Sequence, residues 1–482
     1  MSGYWRNWIN GEWVDGGAGW LAVGNPATDE PVYEHACADA GDVAGAVASA
    51  LSCHERGLLV RMRPIERGRL VQAMGNWIAE HADSIADTLT HEQGKPLWEA
   101  RNEVAGACRY FEYYGNQAAL IEGRSIPLGA DYLDYTTLEP YGVSAQIIPW
   151  NFPLEVAARS IAAGLATGNA CVVKTSELTP CSSSCFAKAA EAVGLPKGAL
   201  HVLTGSGPAA GAALASHPDV NQIVFTGSVA TGQSIAAAAA RTVVPCVLEL
   251  GGKSAAIVHD DADLEAFETD VRRGIFVNAG QICSALSRVV AHESVYDELV
   301  ERMAAVARSL AVGPGIEFSE AGPNMGPMIS ARQRDRAVDM VAEAEREGVD
   351  VVTGGRRPDL PGHFMEPTVL SEVKPEMRVA QDEIFGPVVS LLRFRDEAEA
   401  VRIANGTRYG LVAGVFTMDL DKAVRATRAL RAGQVFVNEW FAGGVETPFG
   451  GYGKSGYGRE KGREALMNYV QTKNVAIRIR QR

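Results

Sequence analysis

Short runs of Val and Ile alternate with longer Ala-rich stretches along most of the chain. Such apolar runs are typical of strands buried on both faces, and the Ala-rich stretches are typical of the helices that cover them. The pattern therefore predicts the α/β fold class, with a parallel sheet between helices. Helices are predicted at 182–193 and 231–240. Strands are predicted at 143–148, 170–174, 222–225, 246–249, 255–258, 388–394, 412–416 and 434–438.

Two segments depart from this pattern. Residues 123–139 carry Tyr132, Tyr135 and Thr136 and predict a β-hairpin, and residues 475–482 alternate like an edge strand. Half-apolar strands that protrude at an edge favour pairing with another subunit. We therefore expect these two segments to contact another subunit.

The composition narrows the class of protein. A chain of 482 residues exceeds a single hydrophobic core, and 47% hydrophobic with 21% charged residues is typical of a globular enzyme. The formal charge of -13 repels polyanions, so nucleic acid is not expected as a partner. No run approaches the roughly 20 apolar residues of a spanning helix, so membrane insertion is not expected.

The N-terminal segment, the cysteines and the histidines bear on location and metals. Residues 1–10 are aromatic and polar and lack the features of a secretion signal, which predicts a cytoplasmic protein. The 8 cysteines include no CxxC pair, so we expect reduced thiols. The 9 histidines show no metal-ligand spacing, and no metal is expected.

Cys283 is the first candidate catalytic residue. It follows Gly280, which permits a tight turn that brings a thiol and its backbone N–H to one reacting atom, as a nucleophile requires. For an isolated cysteine the alternative is a buried structural thiol. The nucleophilic role gains weight from two further candidates, Glu249 and Asn151.

Glu249 ends the apolar run 247–250 and is followed at once by Gly251 and Gly252. Partial burial raises the pKa of a carboxyl group toward neutrality, which suits a general base. The alternative is an ion pair with a neighbouring Lys such as Lys253.

Asn151 stands between two prolines at a predicted strand–helix junction. The prolines fix the backbone, so the amide is placed to donate to an oxyanion. By itself, however, an Asn at such a junction is more often a helix cap.

Two further strand ends indicate a nucleotide site. Residues 225–232 place Gly227 between a strand and a helix, where free backbone N–H groups meet phosphate. This segment is not the GxGxxG fingerprint, and a simple tight turn is the alternative. Lys174 is placed to donate to a ribose hydroxyl and Glu177 to accept from two, and a surface ion pair is the alternative.

Together these segments resemble the aldehyde dehydrogenase superfamily. The resemblance starts with WINGEW at 8–13 and covers nearly the whole chain, and the order and spacing of its motifs make it specific. Thr175 departs from the proline that is more usual after the lysine. The motifs are PWNFP at 149–153, KTSE at 174–177, FTGS at 225–228, ELGGKS at 249–254, GQICSA at 280–285, EIFGPV at 383–388 and PFGGYGKSGYGRE at 448–460.

The resemblance implies a reaction. Cys283 would attack the aldehyde carbon to give a thiohemiacetal, and Asn151 and the Cys283 N–H would hold its oxyanion. Hydride transfer to the nicotinamide would leave a thioester, which water deprotonated by Glu249 would hydrolyse to the acid. By the same resemblance, Lys174 is expected to be a further catalytic residue.

The resemblance also implies the cofactor contacts. Lys174 and Glu177 would contact the adenosine ribose, Gly227 and Ser228 the pyrophosphate, and Glu383 the nicotinamide ribose. Because Glu177 would repel the additional phosphate of NADP, NAD is expected. The full set is Ile148, Trp150, Lys174, Ser176, Glu177, Gly227, Ser228, Thr231, Leu250, Glu383, and Phe385 against the nicotinamide.

The family fold implies three parts. Residues 1–121 with 142–250 would form a Rossmann-like NAD-binding domain, and residues 251–440 an α/β catalytic domain. Residues 122–141 with 465–482 would form a small β extension for oligomerisation, which implies a homodimer or a homotetramer.

Family position also suggests the walls of the aldehyde tunnel. Four aromatic residues favour an apolar or aromatic aldehyde. Glu155 and Arg159 stand four residues apart on a predicted helix and are expected to pair. An unpaired Arg159 would instead favour a semialdehyde that bears a carboxylate. The residues expected to line or flank the tunnel are Phe152, Glu155, Arg159, Trp440, Phe441 and Phe449.

Rival functions make other demands on the sequence. A coenzyme-A-acylating dehydrogenase has no need of a water-activating base, so Glu249 argues against it. A catalytically silent homologue would be expected to lose Cys283 or Asn151. A cysteine hydrolase would want a histidine partner, and no His lies near Cys283 in the sequence.

Overall fold

The computed structural model describes residues 4–480, which fold into the predicted α/β class. Each predicted strand is present to within one residue at either end, and both predicted helices are confirmed. The first residues of the helix predicted at 182–193 form a 3₁₀ turn, Ser182–Ser184, and the α-helix itself is Cys185–Ala192.

The strands are β1 (Tyr4–Trp5), β2 (Asn7–Ile9), β3 (Glu12–Val14), β4 (Trp20–Asn25), β5 (Glu30–Ala36), β6 (Ser125–Ile126), β7 (Tyr132–Pro140), β8 (Val143–Ile147), β9 (Ala170–Lys174), β10 (Leu200–Leu203), β11 (Gln222–Thr226), β12 (Cys246–Glu249), β13 (Ala255–Val258), β14 (Arg288–His292), β15 (Ala311–Val312), β16 (Asn324–Met325), β17 (Asp350–Thr353), β18 (Thr368–Ser371), β19 (Val388–Phe394), β20 (Val412–Phe416), β21 (Gln434–Val437), β22 (Gly456–Tyr457) and β23 (Val470–Arg478). The helices are α1 (Ala40–Glu55), α2 (Pro64–Glu80), α3 (Ala82–Gln93), α4 (Leu97–Gln117), α5 (Pro153–Thr167), α6 (Cys185–Ala192), α7 (Ala212–Ala215), α8 (Val229–Thr242), α9 (Leu264–Val271), α10 (Tyr296–Arg308), α11 (Ala331–Arg346), α12 (Arg378–Gln381), α13 (Glu397–Ala404), α14 (Leu420–Ala429) and α15 (Glu464–Met467).

The first large sheet has the strand order β22-β12-β11-β8-β9-β10-β2-β3. Its strands from β12 to β10 are parallel. From β8 the chain first adds β9 on one side, and it later adds β11 on the other side. This reversal is a topological switch point, and ligands of open parallel sheets bind outside the carboxyl ends of the strands at such a point.

The second large sheet has the order β17-β18-β19-β14-β13-β20-β21 and is parallel except for β17. Each large sheet has its own apolar core, and Phe152 packs against both. The division of the chain into an NAD-binding and a catalytic domain at residue 250 stays a prediction. Among residues 4–480, no helix is long and apolar enough to cross a membrane.

A third sheet, β23-β7-β6, is antiparallel and separate from the large sheets. It confirms the hairpin predicted at 123–139, because β6 pairs with β7. The strand predicted at 475–482 begins earlier, at Val470, and its last two residues, Gln481 and Arg482, lie outside the described residues. The polar residues 471–474 hid this start, since pairing with β7 and not alternation holds them in the strand.

Candidate active site

Four chain segments with candidate residues leave the first large sheet at its carboxyl edge. β8 runs into residues 148–153, β9 ends at Lys174, β11 at Thr226 and β12 at Glu249. The register pairs Ile147 with Lys174 and Thr226 with Glu249, so these ends are level. Parallel pairing thus brings residues from distant parts of the sequence to one edge of the sheet.

A left-handed turn precedes Cys283. Residues 278–280 all have positive φ, between 50° and 70°. A β-carbon at Gly280 would lie 2.2 Å from the carbonyl oxygen of Gly386, so only glycine fits there. The side-chain amide of Gln281 donates to the backbone of the same turn at 2.9 Å. The turn predicted at Gly280 is therefore present, and the Gln281 side chain stabilises it.

Asn151 contacts this turn. Its Nδ2 donates to the carbonyl oxygen of Gln281 at 2.9 Å. An amide nitrogen carries two hydrogens, so this bond leaves one for an oxyanion. Asn151 is not a helix cap, because Phe152 holds the N-cap position of α5 and no side chain bonds there.

A buried ionic network behind Asn151 was missed by the sequence analysis. The carbonyl oxygen of Asn151 accepts from Lys95 Nζ at 3.0 Å and from Asn278 Nδ2 at 2.9 Å. Lys95 Nζ also lies 2.5 Å from Glu103 Oε2, and Glu103 Oε1 accepts the N–H of Leu154 at 2.8 Å. No local pattern signals this network, because its members come from the loop between α3 and α4, from α4 and from the Cys283 turn.

Glu249 is buried and lacks a hydrogen-bond partner for either oxygen among the described residues. It therefore does not form the alternative ion pair with Lys253, whose Nζ is likewise buried and unbonded in this part of the chain. Burial raises the pKa of Glu249 well above its ordinary value, and Arg159 opposes the shift. The burial and the raised pKa are what the apolar run 247–250 predicted, and the pairing with Lys253 that stayed open is absent among the described residues.

The glycine pair after Glu249 joins three candidate residues. The N–H of Gly252 donates to Glu383 Oε1 at 3.1 Å, and a β-carbon at Gly251 would lie 2.0 Å from Glu383 Oε2. A β-carbon at Gly252 would lie 2.6 Å from the carbonyl oxygen of Cys283. The glycines thus allow the strand end of Glu249, the Cys283 turn and Glu383 to touch.

The Cys283 thiol is half-buried, and burial raises its pKa to about 12. The charge of Arg159 lowers this pKa, whereas the charges of Glu249 and Glu383 raise it further. Cys283 is therefore a thiol at neutral pH, and a base must remove its proton before it attacks.

Lys174 and Glu177 form an ion pair of 3.1 Å at the end of β9. The pair is not the surface ion pair named as the alternative, because Lys174 is buried, and the ribose contact of both residues stays a prediction. Burial lowers the pKa of Lys174. Ser176, between them, is buried, and its Oγ accepts the N–H of Leu178 at 3.2 Å.

The segment after β11 begins α8. Ser228 is its N-cap, and its Oγ accepts the N–H of Thr231 at 3.2 Å. Gly227 supplies space and not a free donor, because its N–H already donates to the carbonyl oxygen of Glu249 at 3.0 Å. A β-carbon at Gly227 would lie 2.5 Å from the Phe225 ring.

The remaining cofactor candidates are mostly apolar. A β-carbon at Gly232 of α8 would lie 2.6 Å from Leu250, so glycine allows close packing there. The rings of Trp150 and Phe385 meet edge to face at 5.4 Å, across the gap between the two large sheets. Ile148 is buried, and its N–H donates to the end of β9 at 3.0 Å.

The predicted pairing of Glu155 with Arg159 is wrong. Arg159 Nε lies 2.8 Å from Glu460 Oε2, and Nη2 donates to Thr226 Oγ1 at 3.0 Å. Glu155 instead packs against α4, where a β-carbon at Gly106 would lie 1.8 Å from its Oε1. The spacing rule describes solvated helix faces, whereas α5 is almost wholly buried and its arginine takes the buried carboxylate that faces it.

The aromatic tunnel candidates separate into two groups. Trp440 has 0% exposed surface and donates to the carbonyl oxygen of Ser284 at 3.2 Å, so its ring offers no free surface to a substrate. Phe152 and Phe441 are half-buried, and Phe449 is 7% exposed. These three rings remain candidates for the wall itself.

Comparison with known proteins agrees with this geometry. The family model described as the aldehyde dehydrogenase family matches residues 13–475. The chain is 40% identical to the mitochondrial benzaldehyde dehydrogenase of Antirrhinum majus, over 98% of this chain and 88% of the relative. It is 39% identical to human retinal dehydrogenase 2, over 99% and 93% of the two chains.

Solved structures show the same fold. The NAD⁺ complex of an aldehyde dehydrogenase from Bacillus cereus superposes with a TM-score of 0.97, at 37% identity over 99% of this chain and 97% of the other. An NAD⁺ complex of betaine aldehyde dehydrogenase from Staphylococcus aureus gives 0.95, at 34% identity over 98% and 94%. The chain belongs to the aldehyde dehydrogenase family, whose members are oxidoreductases that oxidise aldehydes to acids.

Proposed function

We propose that this chain catalyses NAD-dependent oxidation of an aldehyde to the carboxylic acid through a thiohemiacetal and a thioester on Cys283. The observation that carries the proposal is the contact of the glycine pair after Glu249 with both Cys283 and Glu383. Asn151 is bonded to the same Cys283 turn. Nucleophile, base and oxyanion donor therefore share one edge of the sheet.

The residues at this edge fit NAD. Glu177 and Lys174 lie 3.1 Å apart, so ribose hydroxyls that approach the pair meet an acceptor and a donor side by side. The carboxylate of Glu177 opposes the additional phosphate of NADP, which favours NAD. When bound, NAD supplies the acceptor for the hydride that leaves the substrate carbon. The NAD⁺ complexes of the two similar enzymes support this cofactor.

The first half-reaction begins with the proton of the Cys283 thiol. Burial keeps the thiol protonated, and its proton passes to solvent as the sulfur attacks the aldehyde carbon. Asn151 Nδ2 and the Cys283 N–H stabilise the oxyanion of the thiohemiacetal. After the hydride leaves, the carbonyl reforms as a thioester.

The second half-reaction needs Glu249 in its ionised form. Its carboxylate takes a proton from the water that attacks the thioester carbon. The carbon–sulfur bond then breaks, and the acid and the Cys283 thiolate are released. A base with a raised pKa is suited to gain and lose protons near neutral pH.

The substrate we propose is an apolar or aromatic aldehyde. Phe152, Phe441 and Phe449 supply aromatic surface, and Arg159 is neutralised by Glu460. Similarity to a benzaldehyde dehydrogenase agrees with this class. A semialdehyde with a carboxylate is the second candidate, because Lys461 Nζ lies 5.9 Å from the Phe449 ring and forms no ion pair with the residues that the structure describes.

The test of the reaction is Cys283→Ala. We expect kcat for NADH formation to fall by on the order of a thousandfold or more, because the nucleophile is lost. NAD binding, measured by calorimetry, should be unchanged. Cys108→Ala, which alters a half-buried thiol of α4, is the matched control and should keep its activity. Substantial NADH formation by Cys283→Ala would refute the covalent mechanism.

A further inference from the structure

Glu249 has no neighbouring donor that would hold it ionised. Both oxygens are buried, and neither has a hydrogen-bond partner among residues 4–480. Burial disfavours the carboxylate, yet a general base must be ionised to take a proton from water. The site therefore requires a positive charge that offsets the burial.

Arg159 is placed to supply that charge. Its Nη2 donates at 3.0 Å to Oγ1 of Thr226, the residue that pairs in register with Glu249 on the adjacent strand. Its Cζ lies 5.8 Å from the centre of the Phe449 ring. The next residue, Gly450, touches Glu249, since a β-carbon there would lie 2.7 Å from Oε1. Arg159 thus contacts Thr226, which lies beside Glu249 on the next strand, and Phe449, which precedes the glycine that touches Glu249.

Glu460 forms a buried ion pair with Arg159. The two side chains are 8% and 1% exposed and lie 2.8 Å apart. Glu460 also accepts from Ser160 Oγ at 3.3 Å and from Tyr469 OH at 3.4 Å, so its position is fixed. Glu249 therefore faces an arginine whose charge is shared with a second, immobile carboxylate.

We propose that Arg159 is a positioning residue for the hydrolysis step, which keeps Glu249 ionised beside the thioester, and that Glu460 sets how much of this charge reaches Glu249. The proposal deepens the proposed function and rests on Glu249 as the general base. It gives roles to Arg159 and Glu460 that do not involve contact with the substrate.

The signs of the effects follow from the charges that face Glu249. Arg159 and Arg459 lower its pKa, and Glu460 raises it. Cys283 faces the same groups, and its pKa is lowered by Arg159 and raised by Glu249. Removal of Arg159 should therefore raise the pKa of Glu249, whereas removal of the Glu460 charge should lower it.

The experiment measures the rate of acid release after the burst of NADH, by rapid quench, as a function of pH. In Arg159→Met the acidic limb of this profile should move to higher pH by about 1 unit, the usual effect of one nearby charge. In Glu460→Gln the limb should move to lower pH. If the two side chains only filled space, their two variants would not move the acidic limb in opposite directions.

Two further variants keep the test decisive. Arg159→Met leaves Glu460 buried without its partner, which costs stability, so the double variant Arg159→Met/Glu460→Gln removes both charges. Its limb should move upward by less than that of Arg159→Met. Arg425→Met breaks an exposed ion pair of 2.8 Å with Glu397 and should leave the limb in place. Unshifted limbs in Glu460→Gln and in the double variant would overturn the proposal. Limbs of Arg159→Met and Glu460→Gln that move in the same direction would overturn it too.

Glu249→Gln separates this proposal from the function on which it rests. It should form one equivalent of NADH and then stall, because only hydrolysis requires the base. Steady turnover by Glu249→Gln would refute Glu249 as the base, whatever Arg159 does. A stall in Glu249→Gln with no shift in the other variants would refute only the role of Arg159.

Discussion

At the scale of single residues, the charges along α5 bear on which aldehyde the enzyme accepts. Glu460 neutralises Arg159, so this arginine does not offer a free cation to a substrate carboxylate. Lys461 is the remaining cation beside Phe449, and burial lowers its pKa. Glu155 raises that pKa, so part of the charge of Lys461 is also balanced.

We therefore expect kcat/KM for benzaldehyde to exceed that for succinic semialdehyde by about tenfold or more. Burial of an apolar ring gains roughly 25 cal/mol per Å², whereas a carboxylate that enters the same tunnel loses its hydration unless a free cation awaits it. The measurement is NADH formation with both aldehydes, and a difference of tenfold corresponds to about 1.4 kcal/mol.

Lys461→Met is the informative variant for this prediction. It removes the cation beside Phe449 and leaves Arg159 with its partner. If the wild-type enzyme prefers the semialdehyde and Lys461→Met loses that preference, Lys461 recognises a carboxylate and the ranking of substrates is wrong.

At the scale of elements, the start of α5 depends on a buried ion pair. Glu103 accepts the N–H of Leu154 in the first turn of α5 and pairs with Lys95, which donates to the carbonyl oxygen of Asn151. One buried ion pair thus fixes both the start of the helix and the oxyanion donor before it.

Glu103→Ala should destabilise the protein by about 3–5 kcal/mol, because it leaves Lys95 buried and unpaired. Lys95→Met/Glu103→Leu should unfold close to the wild type, since no charge stays buried, but its kcat should fall because Asn151 loses a donor. Thermal unfolding and the NADH burst rate measure the two effects.

Glu12→Ala is the control variant. It breaks an exposed ion pair of 3.1 Å with Lys197 and should destabilise the protein by less than about 1 kcal/mol. A double variant with the wild-type burst rate would contradict the role of Lys95.

The same elements show what the sequence was able to predict. β8, β9, β11 and β12 are short and buried, and their Val, Ile, Leu and Phe residues were enough to find each of them, although Ser144 and Gln146 interrupt β8. The residues at their carboxyl ends follow at once from the strand bounds. The partner of Arg159 did not follow, because Glu460 is supplied by a segment about 300 residues further along the chain, and spacing rules apply only within one helix.

At the scale of the whole molecule, the third sheet leaves an unpaired strand edge. β23 is an edge strand along its full length of 9 residues, and β6 covers only 2 residues of β7. Exposed hydrophobic side chains lie along it, and Leu133 and Ile477, which pair in register, are 48% and 44% exposed. Edges of this kind invite strand pairing with another chain.

We therefore expect the chain to assemble through this sheet into a homodimer or a homotetramer. Ile477→Glu should lower the molar mass measured by light scattering at micromolar concentration, because a charge buried at an interface without a partner costs several kcal/mol. Leu420→Glu is the matched control: Leu420 is 76% exposed at the start of α14, far along the chain from this sheet, and its charge should not change the mass. If Ile477→Glu and the wild type form assemblies of equal mass and equal stability to dilution, the third sheet is not the interface. If Leu420→Glu alone dissociates, the subunits meet through the second large sheet and its helices.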